Sequence, residues 1–274
     1  MFNQKRFKFT FLAFSILLAF VLIDIFQLQT REFESTSQII EQQNLDKFYI
    51  TAPRGEIFDS DGEKIAETKL EPHLFLNMRK INNQNSSEYR QVIQYNFPEL
   101  ATKEINEIFE SKDILQFVIN LSSVEYEVRN NLISNFDGFL IIDLPIRKYI
   151  KNELFAHTIG YLGIPNQDEF IEFQNALGNN QVGKNGIERY YEEYLSGIPG
   201  ELIFSGSEIV DSKQPIPGND LFLSINSSTQ LVTKESLQQG INLANKSFES
   251  QNEIKRGAAV VLEIETGNII SMVS

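Results

Sequence analysis

The sequence predicts an α+β fold: short strands and amphipathic helices behind a single N-terminal membrane-spanning helix. Three observations predict it. Residues 7–26 are almost wholly apolar. From Lys47 onward, short β-type runs bounded by turn residues alternate with stretches of helical periodicity. The last segment, residues 257–274, reads as an apolar hairpin suited to the middle of a sheet.

The apolar run comes first. As a helix rising ~1.5 Å per residue it is roughly 30 Å long, the thickness of a bilayer core. Lys5, Arg6 and Lys8 precede it or open it, and Asp24, Arg31, Glu32 and Glu34 close or follow it. This positive-inside bias keeps the N-terminus in the cytoplasm and exports the rest. A cleaved signal peptide would have a shorter core and a small-x-small site behind it; residues 24–30 contain none. Asp24 and the face carrying Phe14 and Phe20 are candidates for a helix contact within the membrane, against plain lipid exposure. Residues 29–43 are polar with a weak helical pattern and continue the helix as a stalk.

The exported part follows. Strands are predicted at 47–50, 56–58, 64–66 and 74–76, with Asp61-Gly62 as a hairpin turn because glycine tolerates positive φ. Asp59, Ser60 and Asp61 belong to that turn; a calcium loop would need further oxygen ligands and a closing glutamate. Helices are expected at 87–95 and 102–109, and a strand at 116–120. Ser122-x-x-Glu125 reads as a capping box for a helix to about Leu132. A strand at 139–144 is expected to end at Pro145. Helices at 168–177 and 187–195 flank a loop at 178–181, and Ser205-Gly206 joins strands 201–204 and 208–210. Residues 215–220 (Pro-Ile-Pro-Gly-Asn-Asp) look like a domain junction. A strand at 221–225, a helix at 227–244 capped by Ser227-x-x-Gln230, and the final hairpin around Glu265-Thr266-Gly267 come after it.

Composition narrows the function. A net charge of -13 repels phosphate backbones, so no nucleic-acid partner is expected. No cysteine is present, and the two histidines, His73 and His157, lie far apart, so neither a thiolate nor an imidazole metal site is expected, and no cofactor. Residues 178–184 have P-loop spacing, but Asn185 stands where the magnesium-binding Ser or Thr should be and a helix precedes the loop; a structural glycine loop is the better reading. No serine is followed three residues later by lysine, so the Ser-x-x-Lys nucleophile is missing. Ser224-Ile225-Asn226 and Ser250-Gln251-Asn252 then read as coincidence, and Glu265-Thr266-Gly267 as a turn. His157, in an apolar run, reads as a structural histidine. Glu188, Glu192 and Glu193 with Arg189 and Lys184 read as helix-surface ion pairs. No catalytic, cofactor or metal residue is therefore assigned.

Taken together, several segments resemble the class B penicillin-binding proteins, most closely the elongation type. Residues 54–66, from Arg54-Gly55 through Asp59, Gly62 and Ala66, are similar to the signature that opens that family's non-catalytic domain. Residues 156–163 resemble its Ala-His-Val-Ile-Gly-Tyr segment. Residues 183–197 (Gly-Lys-Asn-Gly-Ile-Glu-Arg-Tyr-Tyr-Glu, then Leu195-Ser-Gly197) are the nearest match. Residues 217–226 resemble Pro-Gly-x-Asp-Leu-x-Leu-Thr-Ile-Asp, and 257–274 the first hairpin of its transpeptidase domain. Ser60 and Asp61 depart from the usual Arg-Asn, and residues 146–150 lack the common Arg-x-Tyr-Pro wording.

The resemblance implies a cytoplasmic tail (1–6), a transmembrane helix (7–28), a stalk (29–46), an elongated β-rich pedestal of the dimerisation type (47–216), and the start of a truncated penicillin-binding transpeptidase domain (217–274). The full protein would be a serine D,D-transpeptidase at the plasma (inner) membrane, cross-linking peptidoglycan stem peptides in cell-wall elongation and cell-shape maintenance and acylated by β-lactams. This chain would carry only the anchor and the non-catalytic pedestal, and be inactive. Its implied partners are a membrane glycosyltransferase of the shape/elongation/division class and the rod-complex scaffold. The alternatives are a non-catalytic membrane scaffold that recruits cell-wall enzymes, and an exported nucleotide-dependent protein using Lys184.

Overall fold

The computed structural model describes residues 45–247 and 254–274. The expected membrane helix, the stalk up to residue 44, the Asp24/Phe14/Phe20 face and Ser250–Asn252 lie outside the described residues. Among the described residues no helix is long and apolar enough to cross a membrane. The chain divides into two compact units. Of the described residues, 45–46 and 204–208 fall in one unit, and the rest, which carry the candidate site, in the other.

Strand β1 (Leu45–Ile50) is followed by β2 (Ile57–Phe58) and the long β3 (Lys64–Asn77). The turn between β2 and β3 is the one expected: Gly62 has φ 80°, and β2 and β3 pair antiparallel. The runs at 64–66 and 74–76, expected as separate strands, are the two ends of this 14-residue strand. Residues 67–73 are too polar to show strand alternation, and their pairing to a partner strand makes them β.

Helices α1 (Ser86–Asn96) and α2 (Thr102–Glu110) lie where their periodicity places them. Strand β4 (Leu115–Asn120) leads to α3 (Tyr126–Asn135), whose N-cap is Glu125. The Ser122 capping box does not form. The Ser122 hydroxyl instead donates to Glu71 Oε2 at 3.1 Å, so a side chain from a different strand captured the would-be cap. Strand β5 (Phe139–Tyr149) does not stop at Pro145. It pairs only with β3, and an edge strand tolerates a residue with no N–H to give.

β2, β3, β4 and β5 form one sheet with β3 central. The larger apolar core lies on it, where Leu74, Leu76 and Val118 meet Ile93 and Phe97 of the α1 region, Ile105 of α2 and Leu132 of α3. On β3, Glu71 accepts from Lys148 Nζ (2.6 Å), Asn120 Nδ2 (2.8 Å) and Ser122. These bonds, Lys148 first, pull its carboxyl down to about 2 from the usual 4.5. The folded form therefore holds its proton less tightly than the unfolded chain. That contribution is complete above pH ~4.5 and disappears as pH falls towards about 2. Glu71→Gln is expected to flatten the acid limb of a stability-against-pH curve in this window. An unchanged limb would show that Glu71 is uncoupled from folding.

The second half is made of short elements. These are α4 (Asn152–Ile159), β6 (Leu162–Gly163), α5 (Gln167–Glu172), α6 (Ala176–Asn179), β7 (Val182–Gly183), α7 (Gly186–Tyr190) and α8 (Glu192–Leu195). Two helices expected as single pieces are each broken. The 168–177 helix stops at Phe173, whose extended backbone sends its ring into a small core with Ala176 and Val182. The 187–195 helix breaks at Tyr191. The chain then runs through β8 (Gly200–Ser205) and β9 (Glu208–Lys213), and β8 lies between β1 and β9 in a separate sheet.

Residues 215–220 lead into β10 (Leu221–Phe222), shorter than the expected 221–225 and parallel to β2. Helix α9 (Ser227–Ser247) is capped by Asn226, one residue before the expected Ser227. Asn226 Oδ1 accepts from the Thr229 N–H at 2.9 Å. The chain ends in the antiparallel pair β11 (Ala259–Leu262) and β12 (Ile269–Val273). A second core joins these late elements to the first strands: Ile57, Ile65, Phe155, Ile159, Leu195 and Ile225 are all buried together.

Candidate functional site

Two of the segments singled out in the sequence, 54–66 and 183–197, meet with β5 at one buried junction. Arg54 lies just before β2, Arg147 on β5, Glu188 on α7 and Glu192 at the start of α8, and the side chains of all four are buried. Arg54 Nε donates to Glu188 Oε2 (2.5 Å), and its Nη2 to the Glu188 carbonyl and to Glu192 Oε2 (both 2.8 Å). Arg147 Nε donates to Glu188 Oε1 (2.9 Å), and its Nη1 to the Gly55 carbonyl (2.7 Å) and Thr68 Oγ1 (3.2 Å). Glu192 Oε2 also accepts the Gly183 N–H at 2.8 Å. Two cations thus face two anions with forked, charge-assisted bonds, the geometry in which burial of charge is sustainable.

Electrostatics follow from this geometry. Burial alone would lower the Arg54 pKa, but Glu188 and then Glu192 outweigh it and hold the guanidinium above its ordinary value. Burial, and next the Glu188 carboxylate, push the Tyr149 phenol up. The Tyr149 hydroxyl and Arg147 Nη2 are buried without a hydrogen-bond partner in the structure. A cavity of about 20 Å³ touches Arg54, Arg147, Thr68 and Asn179.

Backbone packing locks the same junction. Gly55 N–H donates to the Leu195 carbonyl (2.9 Å) and Gly218 N–H to the Pro53 carbonyl (2.9 Å). A Cβ on Gly55 would stand 1.8 Å from the Asn219 carbonyl oxygen, and one on Gly218 1.8 Å from the Leu195 oxygen. Only glycine lets these strands of backbone pass.

A second clamp binds the β2–β3 turn to α9. Asp59 Oδ1 accepts from the Asp61 (2.9 Å) and Glu63 (2.8 Å) amides, and Oδ2 from the Ser227 amide (3.3 Å). Burial would raise the Asp59 carboxyl; bonds from Ser227, Glu63 and Asp61 overcome that and hold it low. Asn226 Nδ2 donates to Asp61 Oδ2 at 2.7 Å. Asp59 is thus a turn residue, as expected, and also places its carboxylate at the positive end of α9. Gln230, fully buried on α9, donates to the Leu154 and Met272 carbonyls and accepts from Ser271 Oγ and the Met272 N–H.

The remaining candidates fall elsewhere. Glu188 and Glu192, read as surface residues, are interior: four residues apart, they share the face that meets Arg54, while Glu193 alone of the three is exposed. Lys184 Nζ reaches Glu169 Oε2 (2.5 Å) and Arg189 Nη1 reaches Glu169 Oε1 (2.9 Å). Gly178 lies in α6 and Gly183 in β7, and β7 pairs with β6, so the glycine-lysine run does not form a strand–loop–helix phosphate cradle. His157 Nδ1 lies 2.6 Å from Ser274 Oγ, and His73 Nδ1 2.7 Å from the Glu71 carbonyl. Among the described residues no group of acidic, histidine or cysteine side chains is arranged to hold a metal. Arg147 completes the junction from a segment, 146–150, that lacks the family wording. Its signal was Arg147-x-Tyr149, two residues whose period-2 spacing puts them on one face of a strand.

An α+β pedestal whose signature segments are pinned by a buried arginine–glutamate junction is the class of protein this fold and site define. Residues 49–223 match the family described as the penicillin-binding protein dimerisation domain. The chain belongs to that family. It is 28% identical over 236 residues to the peptidoglycan D,D-transpeptidase MrdA of Acinetobacter baumannii, covering 81% of this chain and 32% of that protein. It is 27% identical over 294 residues to MrdA of Haemophilus influenzae, covering 98% of this chain and 42% of that protein. Its structure is similar to that of penicillin-binding protein 2 (PBP2) of Helicobacter pylori in complex with MreC, at 22% identity and a TM-score of 0.62 over 84% of this chain and 42% of that one. The similarity to the elongation type is therefore found in both sequence and fold, and the chain spans about a third to two-fifths of the length of these curated relatives.

Proposed function

We propose that this chain is the anchor and non-catalytic pedestal of an elongation-type peptidoglycan D,D-transpeptidase. It is held at the plasma (inner) membrane by residues 7–28, with its N-terminus in the cytoplasm and its bulk outside. The observation that carries the reading is the convergence of two separate signature segments, carrying Arg54-Gly55 and Glu188 with Glu192, and of Arg147 on one buried junction inside the matched family region. Residues 217–274 are then the opening of the acylating domain. The outward apolar side chains Val260, Leu262 and Ile264 support this, since such a hairpin needs further sheet to cover it. The serine, stem-peptide and β-lactam chemistry belongs to that domain's further sequence. The pedestal's work is mechanical: a tether confines the acylating domain to a band above the bilayer and raises its effective concentration near lipid-linked substrate.

The expected partners are the rod-complex scaffold, as in the H. pylori complex, and a membrane glycosyltransferase of the shape/elongation/division class. The test uses the full chain in nanodiscs. Mixed with the exported domain of the scaffold from the same organism, it is expected to form a complex in size-exclusion chromatography, and it is expected to take no label from fluorescent penicillin. Failure to bind would sink the pedestal reading, and labelling would show that the chain holds an acylating serine after all.

A further inference from the structure

The two short helices that carry the buried Glu188 and Glu192 also present a cluster of tyrosines to the outside. Tyr190, Tyr191 and Tyr194 are turned outward, 81%, 38% and 47% exposed. With Phe173 and Arg189 they line a groove of about 650 Å³. That is the size of a small-ligand site. We propose that this groove binds a neutral chain of N-acetylated amino sugars, the backbone of the cell-wall polymer; the choice of polymer rests on the pedestal reading above.

Four features select this ligand. First, the apolar surface of the groove is entirely aromatic: no aliphatic side chain lines it. A protein-docking groove is ordinarily anchored by aliphatic side chains as well, whereas flat rings suit the C–H face of a pyranose. Second, the rings are preset. Tyr190 and Tyr191 meet edge to face with centroids 4.9 Å apart. Arg189 is held over the Phe173 ring at 5.5 Å while it donates to Glu169 (2.9 Å) and Glu172 (2.7 Å). Third, the groove has no spare positive charge. Those two carboxylates offset Arg189, and exposed Glu193 adds a negative charge at the rim. Stacking polymers with phosphate backbones, which need lysine and arginine along the groove, are therefore disfavoured. Fourth, the tyrosine hydroxyls and the Glu193 carboxylate offer hydrogen bonds to sugar hydroxyls and acetamido N–H groups.

The probe is the β-1,4-linked hexamer of N-acetylglucosamine, titrated calorimetrically into the full chain in nanodiscs. Tyr190→Ala and Tyr194→Ala are each expected to weaken binding about tenfold, as loss of one stacked ring should, with the chain still folded and at most a small fall in melting temperature. Tyr95→Ala, at an equally exposed ring on α1 (86%), is the control and should leave affinity unchanged. No heat of binding at millimolar hexamer, or equal weakening by Tyr95→Ala, would overturn the inference. So would loss of scaffold binding, rather than of hexamer binding, in the Tyr190 variant, since the groove would then dock a protein. Absent hexamer binding with the scaffold complex intact fails this inference alone; hexamer binding retained with no scaffold complex fails the pedestal reading instead.

Discussion

Glu188→Ala is expected to remove about 3–5 kcal/mol of stability, a large share of what a domain has. The carboxylate is fully buried and accepts from both Arg54 Nε and Arg147 Nε. Taking it away leaves two guanidinium groups in the interior with only Glu192 as counter-charge, and that carboxylate contacts Arg54 alone of the pair. The loss comes less from the missing attraction than from the desolvation of cations left unmatched. Glu193→Ala, five residues further along and exposed, should stay within about 0.5 kcal/mol of the parent. Urea unfolding of both variants separates them by midpoint. Equal midpoints would show that the junction contributes nothing to the fold.

Gly55→Ala should be as damaging for a different reason. The added methyl would lie 1.8 Å from the Asn219 carbonyl oxygen and 2.4 Å from its carbon, and both are backbone atoms that no rotamer change can move. Either the 53–56 segment or the 218–221 segment must shift. That would break the Gly55–Leu195 and Gly218–Pro53 hydrogen bonds that hold the junction closed. A cost of about 3 kcal/mol or more is expected, with a sharp fall in soluble yield. Gly240→Ala is the counterpart. It lies inside α9 with nothing within 4 Å of the new methyl, so helix propensity should make it neutral or stabilising by up to about 1 kcal/mol. If both variants unfold alike, the close approach at Gly55 is not what demands glycine.

Much of this architecture was legible in the residues. Periodicity located α1 and α2, and Asp61-Gly62 located the β2–β3 turn, because helical spacing and a positive φ are local properties of the chain. The errors share one cause. Residues 67–73 carry no alternation, so the sequence predicts two strands where β3 is one, and it predicts an end at Pro145 because whether a strand is an edge depends on its neighbours. Ser122 was read as a cap because its competitor, Glu71, is 51 residues away in the chain. The candidate site failed in the same way. Among Glu188, Glu192 and Glu193, helical spacing puts the first two on one face, and only the arrival of Arg54 and Arg147 from distant segments makes that face interior.

By itself the sequence determined the α+β class, the family and the residues able to carry its signatures, since each of these is written in local pattern and spacing. Tertiary structure alone decided that Arg54, Arg147, Glu188 and Glu192 are one object. Their partners come from segments up to 138 residues apart, and burial of a charge is settled by what covers it rather than by what adjoins it in the chain.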